Sequence, residues 1–165
     1  MDIFVFVHHV PFVMLMTALL LGAVTGLAAR SRSVMITAML RYLMLLAIGA
    51  GCLWEFVLQA FFPGVAAGAL GLELSPLQFE IALANLGLAG AGIWAFWHGF
   101  DSWVTVAIMA TCFSAGTALN FLWQVIFYHA PMTGHLFYAD ILTILIIDIL
   151  LWYYYRFCRS SKTTC

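Results

Sequence analysis

The sequence contains very little charge. Of its 165 residues only 8% are Asp, Glu, Lys or Arg, whereas 65% are apolar, and the mean hydropathy is +1.08. Soluble domains place charge on about a quarter of their residues, and a chain this short has a large surface to cover. The composition therefore excludes an ordinary soluble domain. It predicts one integral-membrane domain over residues 1–165.

The sequence also lacks an excess of either charge and lacks a cysteine motif. Six Lys and Arg against seven Asp and Glu give a net charge of −1, so no basic surface for nucleic acid is present. The cysteines are widely spaced, without a C-x-x-C pair: Cys52, Cys112, Cys158 and Cys165. This pattern predicts no disulfide and no thiol redox motif. No cofactor is indicated, and the lipid bilayer is the one partner that the composition requires.

Long apolar segments are what the sequence has in abundance. Five of them reach the length of about 20 residues that a membrane-spanning helix needs, and they cover about residues 3–29, 35–62, 77–99, 102–129 and 138–157. Four predicted turns separate them, in order Arg30–Ser33, Pro63–Pro76, His98–Asp101 and Pro131–His135, and the last three contain Pro or Gly. The fold class predicted is all-α, a polytopic membrane bundle of five transmembrane helices.

The basic residues predict the orientation of this bundle. With five spans all six lie on one side: Arg30, Arg32, Arg41, Arg156, Arg159 and Lys162. Positive residues beside spans mark the cytoplasmic side, so the N-terminus is expected outside and the C-terminus in the cytoplasm. Trp97 and Trp103 flank the third turn, where aromatic residues of the same interface are expected.

Polar side chains inside the spans are the candidates for function, because they are costly in lipid and normally face the bundle interior. Counting about 1.5 Å per residue from the outer turns places one set in the outer half. The set is Glu55, Gln59, Glu80, Asn85, Asn120, Gln124 and Asp140. Two helical stripes support it, one from Arg41 through Cys52 to Gln59 and one from Ser114 through Thr117 to Gln124. We predict that these groups form a ligand-binding pocket open to the outer side.

Two other interpretations of these residues compete with a ligand site. The carboxyls of Glu55, Glu80 and Asp140 are neutral and hydrogen-bonded to neighbouring amides in a purely structural alternative. A metal site is the second alternative, because imidazole and carboxylate suit several metals, and His8 and His9 are its histidine candidates. The sequence shows no regular ligand spacing for such a site.

The second and fourth spans end in similar segments. Residues 55–62 and 120–127 share the pattern F-x-x-Q-x-x-F, and a carboxylate, Glu80 or Asp140, begins each following span. Two parallel hairpin repeats after an N-terminal helix would explain this echo, as would chance.

In the inner half, Arg41 and Asp148 lie at matching depths of about 12 Å by the same helical rise. A carboxylate can neutralise a guanidinium through paired hydrogen bonds. We therefore predict that the second and fifth spans are neighbours and that these two side chains form a structural ion pair.

The motif S-P-L-Q-F-E at residues 75–80, followed by A-N-L-G at 84–87, resembles a family of small bacterial inner-membrane proteins that is known only as a domain of unknown function. The similarity runs from about Arg41 to Leu150 and includes Asn120-x3-Gln124, although the family pattern has His where Asn120 stands. The resemblance implies a bacterial plasma membrane and no particular reaction.

The leading functional hypothesis is binding or passage of a small cation, proton or polar molecule through the outer pocket. An accessory or structural subunit of a larger membrane complex is the alternative, and either a homo-oligomer or membrane-complex partners would suit so short a chain. A membrane-embedded enzyme with carboxylates as general acid and base ranks last, because no nucleophile constellation accompanies them.

Overall fold

The computed structural model describes residues 3–70, 77–128 and 135–159, all within helices or the short turns between them. The helices are α1 (Ile3–Ala29), α2 (Arg32–Tyr42), α3 (Gly51–Phe61), α4 (Pro63–Leu70), α5 (Leu77–Trp97), α6 (Phe100–Tyr128) and α7 (His135–Tyr153). A π-helical segment, Leu43–Ala50, joins α2 to α3 in one continuous helix, and a second one, Tyr154–Arg159, extends α7. The predicted all-α class is confirmed.

Four helices of the described residues are long and apolar enough to cross a membrane, judged by length and composition. They are His9–Ala29, Arg32–Phe61, Gln78–Trp97 and Phe100–Phe127, and they coincide with the first four predicted spans. The fifth predicted span, 138–157, coincides with α7 and its π-helical extension but is not among these four. The total of five spans stays a prediction.

One predicted loop is partly helical. The segment from Pro63 to Pro76 was expected to be a turn, yet Pro63–Leu70 forms α4. Proline is well tolerated at the first helical position, because the amide hydrogen that it lacks has no intrahelical partner there. Several alanines follow in this helix and favour the helical conformation. The Pro131–His135 turn falls mostly outside the described residues.

Glycines allow two pairs of helices to cross closely. A Cβ atom on Gly22 or Gly26 of α1 would lie 2.6 Å from the Cα atom of Met39 or Met35, respectively. A Cβ atom on Gly92 of α5 would lie 2.7 Å from the carbonyl oxygen of Met44 in the π-helical segment. These positions accept only glycine because backbone meets backbone, which is how small residues promote helix packing in membranes.

The apolar core lies toward the end of the bundle that holds the Arg30 and Gly99 turns. Its members come from every long helix: Leu15, Ala18, Ile36, Leu40, Leu43, Met44, Ile48, Leu88, Ala95, Trp103, Val106, Ala107, Ala110, Ile147 and Leu151. Trp103 is 2% exposed and its indole Nε1–H donates to the carbonyl oxygen of Ala95 at 2.9 Å. Trp103 flanks the turn at Gly99, as predicted, and its ring packs into the core.

Candidate functional site

A cavity with a volume of about 50 Å³ lies among α1, the π-helical segment, α3, α5, α6 and α7. Its polar lining residues are Cys52, Glu55, Asn85, Ser114, Asp140 and Thr143. None of the described lining residues is Lys, Arg or His. A single water molecule needs roughly 10–15 Å³ of such space, so the cavity can hold a few water molecules or one small solute.

Helical periodicity explains how each helix contributes to the lining. On the long second helix Ile48, Cys52 and Glu55 follow spacings of four and three residues and line the cavity together, as expected for one helical face. Asp140 and Thr143 on α7 are likewise three residues apart. Helical spacing therefore places the polar residues of one helix on the side that lines the cavity.

The two carboxylates of the cavity come from different helices. Glu55 is half-buried on α3, six residues before the helix ends at Phe61, and Asp140 is exposed on α7, five residues after the helix begins at His135. Gln59 Nε2 donates to Glu55 Oε2 at 3.3 Å, which fixes one oxygen of that carboxylate. Two like charges on one small cavity disfavour each other, so the arrangement favours an added positive charge, which is either a proton or a small cation.

Asn85 is the buried polar residue of this site. Its side chain is only 4% exposed, lines the cavity and makes no hydrogen bond to any residue that the structure describes. A primary amide carries two donor hydrogens and an acceptor oxygen, and buried groups of this kind normally have partners. Because Asn85 lines the cavity, a water molecule or solute bound there can supply these partners.

The structure brings together part of the predicted ligand-binding set. Glu55, Asn85 and Asp140 line the cavity. Gln59 is not a lining residue, but it donates a hydrogen bond to Glu55. Glu80 and Asn120 are exposed and do not line it. The side chain of Gln124 lies outside the described residues.

Helical geometry explains both departures. Glu80 is five residues from Asn85, which is about 140° around a helix with 3.6 residues per turn. Asn120 is six residues from Ser114, and the two steps of three that connect them each lag by about 60°. The stripe predicted on the fourth span therefore turns away from the cavity after Ser114.

Cys52, Ser114 and Thr143 were not selected as site residues from the sequence. Cys52 precedes Glu55 by three residues and Thr143 follows Asp140 by three, so spacing from the two carboxylates could have identified both. Phe113, which also lines the cavity, has no polar signal that would have marked it.

The predicted ion pair between Arg41 and Asp148 is not formed. Arg41 is exposed and makes no ion pair with a described residue, while Asp148 Oδ2 accepts a hydrogen bond from Thr111 Oγ1 at 3.4 Å. α2 and α7 do contact each other. However, α2 starts at the Arg30 turn and α7 runs toward that end, and side chains tilt toward the N-terminus of their own helix. In two helices that run in opposite directions, this tilt disfavours contact between the ends of the two side chains.

The histidine candidates for a metal contribute little to this geometry. The side chain of His8 lies outside the described residues, and His9 is exposed. No group of three or more His, Cys, Asp and Glu side chains in the described ranges lies close enough together to hold a metal ion. A metal site stays a prediction.

The described residues thus form an all-helical protein with long apolar helices and a small cavity that two carboxylates line. A family model described as "Family of unknown function (DUF6790)" matches residues 8–160, and the chain belongs to that family. No curated protein and no solved structure matches the chain. The family accounts for nearly the whole chain and names no activity, so function must be argued from the cavity.

Proposed function

We propose that the chain is a multi-pass membrane protein that binds a small cation or proton in the cavity between Glu55 and Asp140. The observation that carries this proposal is the shared lining of one cavity by two carboxylates and a buried amide that has no hydrogen-bond partner among the described residues. Passage of the bound ion across the bilayer would be an extension of the same site.

The membrane setting is supported by the four apolar helices of sufficient length. The positive-inside rule assigns the Arg30 end to the cytoplasm. Glu55 lies near the end of α3 and Asp140 near the start of α7, which is the opposite end of the bundle. The cavity opens toward the outer side in this orientation, and the location that we propose is the bacterial plasma membrane, which the family resemblance implies.

Charge selects a cation as the occupant. The lining has two carboxylates and no basic residue among its described members, so an anion would meet uncompensated negative charge. In surroundings of low polarity an unpaired charge is expensive, and a counter-charge within the same site relieves that cost. Its volume of about 50 Å³ limits the occupant to a small ion with little water.

Calorimetric titration of the purified full-length protein in detergent tests this proposal. Chloride salts of Na⁺, K⁺, NH₄⁺ and methylammonium are the probes, and we expect at least one to bind the wild type. The double variant Glu55→Gln, Asp140→Asn should lose that binding, whereas Glu80→Gln should keep it because Glu80 is exposed outside the cavity. Absence of binding by every cation, or equal loss in Glu80→Gln, would contradict the proposal.

A further inference from the structure

The oxygen-bearing groups of the cavity surround it from four helices. Glu55 lies on α3, Asn85 on α5, Ser114 on α6 and Asp140 on α7. The carboxylates accept hydrogen bonds, and the amide and hydroxyl oxygens can also accept them. An occupant in the middle therefore meets acceptors in several directions.

These acceptors suit a cation that donates hydrogen bonds better than a bare Mg²⁺ or Ca²⁺ ion. These two ions hold their oxygen ligands at about 2.0–2.6 Å. The described residues contain no group of three His, Cys, Asp or Glu side chains that is tight enough for this. An N⁺–H donor instead keeps its acceptor oxygen at about 2.7–2.9 Å from the nitrogen, and its several hydrogens point in separate directions.

Two further lining residues favour the same chemistry. The buried amide of Asn85 has no hydrogen-bond partner among the described residues, and its oxygen offers an uncharged acceptor. The ring of Phe113 forms part of the wall, and aromatic faces attract ammonium groups. Both features are compatible with a nitrogen cation and neither requires a metal.

Resting on the proposed function, we propose that the cavity is a binding site for ammonium or a very small protonated primary amine. The cation donates hydrogen bonds to Glu55, Asp140 and Asn85, with the Ser114 hydroxyl as a fourth acceptor. The cavity volume of about 50 Å³ admits ammonium or methylammonium.

Equilibrium binding of radiolabelled methylammonium to the full-length protein in detergent tests this assignment. Unlabelled NH₄⁺ should displace the label. K⁺, which has nearly the same radius but no N–H group, should need a concentration at least about tenfold higher, as one lost charged hydrogen bond predicts. Tetramethylammonium, which also lacks an N–H group, should not compete.

Two variants and one control connect the binding to the cavity. Asn85→Leu should weaken methylammonium binding by about tenfold or more, and Ser114→Ala should weaken it less. Asn120→Leu is the matched control, because this asparagine is exposed and does not line the cavity. Ser114→Ala removes a single oxygen and keeps the test decisive if Asn85→Leu does not fold.

The outcomes separate this inference from the function on which it rests. If K⁺ competes as well as NH₄⁺, or if Na⁺ binds and methylammonium does not, the ammonium assignment is overturned while cation binding stands. Wild-type methylammonium affinity in both cavity variants would overturn the assignment as well. If no cation binds at all, the proposed function itself fails.

Discussion

Two buried polar side chains, Trp103 and Asn85, distinguish the two ends of the bundle. Trp103 is 2% exposed and donates its indole hydrogen to Ala95 O at 2.9 Å. Asn85 is 4% exposed and has no hydrogen-bond partner among the described residues. The first lies in a closed apolar cluster, where Tyr154 packs edge-on against it at 5.7 Å, and the second faces a cavity.

The difference indicates that one end of the bundle contributes to stability and the other to binding. A buried polar group with a partner contributes to stability, whereas one without a partner costs free energy. At one end the indole N–H of Trp103 has a partner within the protein, Ala95 O. At the other end the amide of Asn85 has no hydrogen-bond partner among the described residues, which is the property expected of a site that accepts a solute.

The largest loss of stability should follow from removing the Trp103 side chain from the apolar core. Trp103→Ala removes a fully buried aromatic side chain and should lower the free energy of unfolding by about 3–5 kcal/mol. Reversible unfolding in mixed detergent, followed by circular dichroism, measures this change. Trp97→Ala is the control, because Trp97 is 66% exposed, and equal losses in the two variants would show that Trp103 is not a core residue.

The helix crossing at Gly92 should give the next largest effect. A methyl group there would lie 2.7 Å from Met44 O and 2.8 Å from the backbone nitrogen of Gly49, so the two helices must separate. Gly92→Ala should lower the free energy of unfolding by about 1–3 kcal/mol in the same assay. Gly90→Ala on the same helix meets nothing within 4 Å and should change it little. A tolerated Gly92→Ala would rule out the close crossing.

The course of the helices was predictable because apolar runs of bilayer length leave few alternatives. The predicted segment 3–29 coincides with Ile3–Ala29, and 77–99 with Leu77–Trp97 to within two residues. The direction of a side chain around its helix was harder to predict. The stripe from Arg41 to Gln59 assumed a continuous α-helix, yet Leu43–Ala50 is π-helical.

A π-helix has more residues per turn than an α-helix. Residues after this segment therefore do not lie on the helical face that α-helical spacing from Arg41 predicts. Glu55 consequently lines the cavity while Arg41 is exposed. No residue pattern in this segment announced the change. The convergence of Glu55, Asn85 and Asp140 was foreseeable because each depth could be counted from a nearby helix end, whereas the facing direction of Asn120 depended on accumulated rotation.

A smaller effect should follow from removing the contact between α6 and α7 at Asp148. The hydrogen bond from Thr111 Oγ1 to Asp148 Oδ2 is long, at 3.4 Å. Thr111→Val should therefore lower the free energy of unfolding by only about 0.5–1 kcal/mol. Thr105→Val is the control, since Thr105 Oγ1 donates to Asp101 O within its own helix. If Thr111→Val and Thr105→Val lower the free energy of unfolding equally, the interhelical bond contributes nothing.

The smallest change in stability, and the sharpest test of the comparison, should come from Asn85→Leu. Replacing a buried amide that has no hydrogen-bond partner among the described residues removes its desolvation cost and adds apolar contact, so the free energy of unfolding should stay constant or rise by up to about 1 kcal/mol. Trp103→Phe should instead lower it by about 1–3 kcal/mol, because it removes the indole bond to Ala95 O and leaves a smaller side chain in the core, although His98 N–H still donates to Ala95 O at 3.1 Å. The same detergent assay, without added ammonium or amines, compares the two variants. A loss in Asn85→Leu as large as that in Trp103→Phe would mean that the amide stabilises the bundle itself. The amide would then no longer support the assignment of the cavity as a binding site.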